Sequence, residues 1–439
     1  MEWYLALALI LGVFVLLAGA GLPIAYAFFA SILGASIVLV GPVLGPELVL
    51  SHVFESLANA NLLPLPLFIL LGEIIFHSGL AGKAVDSFAA LLGRVPARES
   101  YLALGSGGLF SMLTGSTMAN TALLGSTLAP QMREKGYSRQ LTYGPILAAG
   151  GLAMVIPPSN IAVIYGTYAE VPIGPLLIAG VIPGLILILF YGTMILVLAK
   201  RTTDAYPTID RLEQGGYGER LRRAALDMLP LVVVIFAVTG LIVLGVATPT
   251  ESAGLGAVAA LSVAALSRSL TWRGLSQALA GTVQLTGMIF LILAGAVGFS
   301  RLLTFSGVTS ALATGVAGLA IPATAVLLLL VGIVLLMGTL MEAVPIIMIC
   351  VPIFVPVIAI MGWDPLWFGM LVLLALQVGL LTPPFGMLLF VMKGVAGEDA
   401  SMPDMYRAAT PFIACDLSLM TLVFFFPSIV TWLPEIVAR

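Results

Sequence analysis

A short set of prolines and glycines does most to limit how this chain can fold. Pro96, Pro130, Gly136, Pro157 and Pro158 are followed by Pro322, Pro356, Gly362, Pro383 and Pro384, each 226 residues later, and "FHSGL" at 76–80 is matched by "TFSGV" at 304–308. The chain therefore reads as two copies of one plan. In each copy a proline pair interrupts a run that is otherwise apolar enough for lipid: "GLAMVIPPSNIAVIYG" (151–166) and "QVGLLTPPFGMLLFVMKG" (377–394). Proline has no N–H and crowds the carbonyl four residues back, so each pair must break a helix. In a bilayer, broken backbone survives only where protein encloses it or where it lines a polar cavity.

Composition identifies the bilayer. Of 439 residues, 60% are hydrophobic and 9% charged, against about 25% charged in soluble domains. An all-α integral membrane protein is expected, multi-pass and in contact with membrane lipid. The net charge of -3 is small and dispersed, which gives no footprint for nucleic acid. Cys350 and Cys415 stand in apolar runs without metal or redox spacing and read as packing residues. The N-terminal "MEWYLALALILGVFVLLAGAG" has the apolar core of a signal peptide but not its basic start, and is expected to remain as a first membrane helix.

Cytoplasmic loops collect Lys and Arg. The longest polar stretch, 200–223, carries six basic residues and is expected in the cytoplasm; "EVPIGP" (170–175), with none, is expected outside. A helix at about 141–169 then starts inside, beside Arg133, Lys135 and Arg139. The stretch before it, 101–130, also begins inside, beside Arg94 and Arg98. As one helix it would span about 45 Å at 1.5 Å per residue, against a hydrocarbon core of ~30 Å. It is expected to be a re-entrant hairpin of two half-helices, its tip near 115–121. Residues 323–361 are again too long for one crossing and are interrupted by "GTLMEA" (338–343), so a second hairpin is expected. Its flanks carry no Lys or Arg, so the two halves are expected to enter from opposite faces. An inverted repeat with a broken helix in each half points to a transporter with its site at mid-membrane. The expected organisation is N-terminal scaffold helices (1–61), a first repeat (62–199), the loop, further scaffold helices (224–287), a second repeat (288–396) and a C-terminal helix (397–439).

The chemistry expected at the breaks follows from the prolines. Pro157 and Pro158 should free the carbonyls of Ala153 and Met154, and Pro383 and Pro384 those of Gly379 and Leu380. Such carbonyls suit a small hard cation such as Na⁺, while the half-helix after each break offers N–H groups to an anion. The hairpin tips add Gly115, Ser116, Gly338, Thr339 and Glu342 for the cation. Ser116, Thr117, Asn120, Thr121, Ser159, Asn160 and Thr382 are the candidates for substrate. Neutral groups avoid burying a fixed charge, which costs at least ~2.5 kcal/mol at mid-membrane.

At these residues the chain resembles the large membrane subunit of the tripartite ATP-independent periplasmic (TRAP) transporters. The resemblance runs through "LPLPLFILLGEIIFHSGLAGK", "TGSTMANTALLGSTLAPQMREKGY", "VIPPSNIAVIYG", "IAGVIPGL", "ATPTESAG", "GTLMEAVPIIMICVPIFVPV", "GWDPLWFG" and "GLLTPPFG", which together cover nearly the whole chain. It implies Na⁺-driven uptake of an organic acid, delivered by a periplasmic binding protein, through an elevator-like movement in the bacterial inner membrane. It also implies a small membrane subunit as partner. Asn160 departs from the family pattern, in which an apolar residue often follows "PPS"; it either contacts substrate or satisfies freed carbonyls.

Other polar residues have plainer readings. Glu73 and His77, one turn apart, could form a proton relay but are expected rather to pair with the scaffold or a neighbouring subunit, and Arg301 falls at the position matching Glu73. Glu342 is either a Na⁺ ligand or a solvated gate residue. Glu251 is expected to cap a helix start after Thr250. The alternative within transport is a stand-alone sodium/anion symporter. A membrane enzyme is disfavoured, because no His/Glu metal cluster and no paired nucleophile and base stands in the chain.

Overall fold

The computed structural model describes residues 2–92, 95–201, 217–318, 321–397 and 400–437. Arg94 and residues 202–216 of the expected cytoplasmic loop lie outside them. The described residues fold as helices, and six helical stretches are long and apolar enough to cross a membrane.

The chain opens with α1 (Trp3–Gly19), α2 (Ile24–Leu39), α3 (Leu44–Leu57), α4 (Pro64–His77) and α5 (Leu80–Leu91). The first hairpin is α6 (Arg98–Thr114) and α7 (Thr117–Glu134), so the expected 101–130 extends by a turn at each end. It turns where Gly115 takes φ +57° and the Ser116 hydroxyl accepts the N–H of Ala119 as the cap of α7. The first broken helix follows as α8 (Arg139–Gly151), a 3-10 turn at Leu152–Met154 and α9 (Asn160–Tyr168). Next come α10 (Ile173–Ala179), α11 (Val181–Arg201), α12 (Tyr217–Ile235), a π-turn at Phe236–Gly240, α13 (Leu241–Val243), α14 (Pro249–Leu266) and the long α15 (Trp272–Phe305). The plan of the first half then returns. After α16 (Val308–Ala317), a hairpin of α17 (Ala323–Gly338) and α18 (Ala343–Met361) leads to a second broken helix, α19 (Pro365–Leu381) and α20 (Met387–Ala396), and the chain closes with α21 (Met402–Phe425) and α22 (Ser428–Val437).

The repeated glycines have repeated geometry. Gly79 and Gly307 precede α5 and α16 with φ of 71° and 74°, and Gly136 and Gly362 end the two hairpins at 79° and 67°. L side chains rarely adopt these angles, so the landmarks recur because the turns recur.

Two groups of helices emerge from the packing. In one, α15 lies along α1, α2, α3 and α4, and α14 covers α4. In the other, α8 is wrapped by α6, α7 and α21, while α19 lies between α17 and α21. The halves interlock: α9 of the first packs on α18 of the second, and α20 of the second packs on α7 of the first. Polar ties fasten the base of the first hairpin. Glu99 at the start of α6 pairs with Lys135 just beyond α7 and with Arg98, and Arg139 pairs with Asp404 at the start of α21. Arg98 also donates to the carbonyls of Ala89 and Leu92, tying α6 to α5.

Glu251 does cap α14, whose start lies two residues earlier than expected. Thr248 is the N-cap and Glu251 completes a capping box with it, because Pro249 already occupies the first helical position. Cys350 and Cys415 are both free and buried.

Candidate functional site

In each half the hairpin tip closes on the break of that same half. A Cβ on Gly115 would lie 2.8 Å from the Pro158 carbonyl and 3.4 Å from the Asn160 amide, so only glycine lets the first tip approach this closely. In the second half, a Cβ on Gly379 would lie 2.6 Å from Cα of Gly338, and Gly386 N–H donates to the Thr339 carbonyl at 3.2 Å. Two pairs of helix N-termini are thereby brought together, α7 with α9 and α18 with α20. The broken helices also cross each other, since the turn after α8 packs on α19 and Gly151 lies against the side chain of Gln377.

Carbonyls stripped of helical partners need others. Two of the four expected to be free have them: Met154 accepts from the Ser159 hydroxyl at 2.9 Å, and Gly379 from Thr382 N–H at 3.0 Å. A carbonyl oxygen has a second lone pair, so this tie leaves room for an ion. Two donors come from outside the breaks. Thr239, in the π-turn, gives its hydroxyl to the Pro157 carbonyl at 3.1 Å, and Tyr406 of α21 gives its own to Pro384 at 2.7 Å. Sequence reading missed both. Nothing in the sequence around Thr239 marks it, although π-turns gather at functional places once a structure shows them.

The candidate side chains divide. Ser116, Thr117, Ser159, Asn160, Thr339 and Thr382 stand at the tips and breaks, as do Gly115, Gly338, Ala153, Leu380, Pro157 and Pro383. Asn120 and Thr121 face elsewhere. The Asn120 amide donates to the Gly107 carbonyl, the Ser111 hydroxyl and the Ala149 carbonyl at 2.8–3.1 Å, bracing the hairpin against α8. Thr121 packs on Gly150 with its hydroxyl turned back to the Thr117 carbonyl. Both sit on the side of α7 that faces α8, where the first helical turn has already carried them away from the tip.

Asn160 opens α9 just after the first proline pair. Its Oδ1 is buried without a partner among the described residues, as are Asn120 Oδ1 and Gln377 Oε1, and of these three amides it is the one at the first break. A buried polar oxygen left unpaired asks for a ligand. Glu342 is the N-cap of α18, but its carboxylate makes no bond to the N–H groups of that helix. Glu73 and His77 pair at 3.3 Å, the Glu73 carboxylate against Gly281 and the His77 backbone against Gly274 of α15, inside the first helix group; Arg301 is exposed on the same helix. The two breaks differ in access. Residues 151–160 are buried throughout, whereas Pro383, Pro384 and Phe385 are exposed.

Chemically, the arrangement offers neutral hydroxyl and carbonyl oxygens beside helix N-termini, with no basic side chain among the tip and break residues. Such a set suits an anion and a hard monovalent cation together.

Comparison with known proteins agrees with this geometry. Residues 10–429 match the family described as "Tripartite ATP-independent periplasmic transporter, DctM component". The chain is 31% identical over 383 residues to the C4-dicarboxylate TRAP transporter large permease protein DctM of Pseudomonas aeruginosa, covering 87% of this chain and 88% of that one. It is 30% identical over 387 residues to a putative TRAP transporter large permease protein of Haemophilus influenzae, covering 88% and 94%. In fold it is similar to the YdaH transporter of Alcanivorax borkumensis, with a TM-score of 0.67 over 88% of this chain and 89% of that one at 13% identity. The chain belongs to the DctM family of TRAP transporter large permeases, and is a transport subunit of the inner membrane rather than an enzyme.

Proposed function

We propose that this chain carries an organic acid into the cell together with Na⁺, receiving the acid from a periplasmic binding protein and working beside a small membrane subunit. The observation that carries this reading is the closure of each hairpin tip on the break of its own half. It gathers the N-termini of α7, α9, α18 and α20, whose dipoles favour a carboxylate, next to oxygens fit for Na⁺. Ser116, Thr117, Ser159, Asn160 and Thr382 then meet the substrate, while Asn120 and Thr121 hold the first tip in place. Gly115, Ala153, Met154, Pro157, Gly338, Thr339, Glu342, Gly379, Leu380 and Pro383 frame the ion sites.

Direction has support as well. The exposed break lies beside Tyr406, two residues from the Asp404 that pairs with Arg139, on the face richest in basic residues and so assigned to the cytoplasm. The hairpins and broken helices move as one body, elevator-fashion, against the group around α4 and α15. The two halves are inverted in the membrane.

Transport in proteoliposomes tests the proposal. The full chain is reconstituted with a small membrane subunit and a periplasmic binding protein of the TRAP type, and uptake is followed for the carboxylate that the binding protein holds. Uptake is expected to require an inward Na⁺ gradient and both partners. Equal uptake without Na⁺ overturns the coupling, and full Na⁺-driven uptake by this chain alone moves the reading to a stand-alone symporter.

A further inference from the structure

Away from the tips, three helices enclose a polar cluster with no counter-charge among the described residues. Asp416 of α21, Tyr191 of α11 and Gln377 of α19 are each 0% exposed. The Tyr191 hydroxyl donates to Asp416 Oδ1, and Gln377 Nε2 lies 2.9 Å from both Asp416 Oδ1 and the Tyr191 oxygen. Both donors therefore serve one carboxyl oxygen. Asp416 Oδ2 and Gln377 Oε1 are buried without a partner among the described residues.

The titratable groups facing Asp416 are Tyr191 and its own neighbour Cys415. The other helices on α21, namely α8, α19, α20 and α22, set no charged group against it. The ring of Phe412 packs edge-on to Tyr191 at 5.6 Å, adding an apolar wall.

A carboxylate here would be a buried charge with neither counter-ion nor donor on one of its oxygens, an arrangement proteins avoid by neutralising the group. The donor pattern fits the neutral acid instead. Oδ1, as the carbonyl oxygen, takes both hydrogen bonds. A proton on Oδ2 turns that atom into a donor, and Gln377 Oε1 is the unpartnered acceptor on the neighbouring side chain.

We propose that Asp416, Gln377 and Tyr191 form a proton-binding site linked to the two helix breaks. Gln377 is the link. It rides on α19 five residues before Thr382, and on its other side lies Gly151 at the end of α8: a Cβ there would meet Gln377 Cγ, Nε2 and Cδ at 3.3–3.5 Å. Any change at either break moves this amide and with it one of the two donors to Asp416. In the arrangement seen here the acid holds its proton. When the broken helices shift, the Oδ2–H bond breaks, its electron pair stays on the carboxylate and the proton passes to water. The inference rests on the crossing of the broken helices and not on which ion or acid is carried.

Infrared spectroscopy of the full chain in lipid, recorded across pH, reads this directly through the carboxylic-acid carbonyl stretch. Wild type is expected to show a buried acid band that titrates, and Asp416→Asn to lose it. Tyr191→Phe leaves the acid in place and removes one donor to Oδ1, so the band moves to higher frequency; this variant decides the matter should Asp416→Asn fail to fold. Gly151→Ala alters no residue of the cluster but presses on Gln377 from the end of α8, and the titration midpoint is expected to shift. A band that survives Asp416→Asn or is unmoved by Tyr191→Phe overturns the proton site. A midpoint unchanged in Gly151→Ala overturns its link to the breaks.

Discussion

Gly115 and Gly136 share a left-handed backbone, with φ of 57° and 79°, but not their surroundings. A Cβ on Gly115 meets the Pro158 carbonyl at 2.8 Å, whereas one on Gly136 meets nothing within 4 Å. The pair therefore separates two costs. Alanine at either position is expected to cost about 1–2 kcal/mol for the left-handed backbone, seen as a lower melting temperature. Only Gly115→Ala is expected to slow uptake by tenfold or more, on the order of 1.4 kcal/mol in activation, because it pushes the tip off the break. Equal losses of stability with uptake intact in both would show that the tip contact has no part in transport. At this scale the sequence marked the right neighbourhood but could not assign orientation. Asn120 and Asn160 look alike as buried amides near prolines or tips and each keeps an unpaired Oδ1, yet the Asn120 amide nitrogen braces the hairpin against α8 while Asn160 sits at the break itself.

The two hairpins and two broken helices were legible because each leaves a physical mark in one dimension. A segment too long for a crossing must fold back, and a proline pair must interrupt a helix. What each break does with its carbonyls was not legible, since the donors Thr239 and Tyr406 lie 82 and 22 residues away in sequence. The carbonyls can be tested as ion ligands by closing the gaps. Changing Pro157 and Pro158 to alanine, and separately Pro383 and Pro384, restores the N–H groups and removes the steric block. The Na⁺ concentration for half-maximal uptake is expected to rise several-fold in each double variant. The value for substrate should rise with it, because the two binding events are linked. Variants that insert and transport with unaltered Na⁺ dependence would instead mark the prolines as simple kinks.

For the whole molecule the decisive property is sidedness. Near the first hairpin Lys135 is held by Glu99 and Arg139 by Asp404, at one end of the helix bundle. Residues 41–61 and the segment 170–175 carry no Lys or Arg and are expected on the opposite face under the positive-inside rule. We expect that face to dock the binding protein. Ser51 is exposed there, its hydroxyl bonded only to the Leu48 carbonyl one turn back, and the native cysteines are buried. Ser51→Cys should thus react with a membrane-impermeant thiol reagent added outside right-side-out cells, and binding protein should slow the reaction. Labelling from the inside alone would reverse the orientation and remove the docking face.

By itself the sequence determined the solvent, the repeat and the places where helices stop. Each of these depends on composition or on residues close together in the chain: apolar content sets the phase, proline removes a donor, glycine admits a left-handed turn. Only the tertiary structure decided what meets what. Gly338 crosses Gly379, Thr239 reaches Pro157, and Gln377 is wedged between Gly151 and Asp416 because helices far apart in the chain pack within van der Waals distance. Backbone and polar groups sealed from water must then take their partners from whichever element lies alongside.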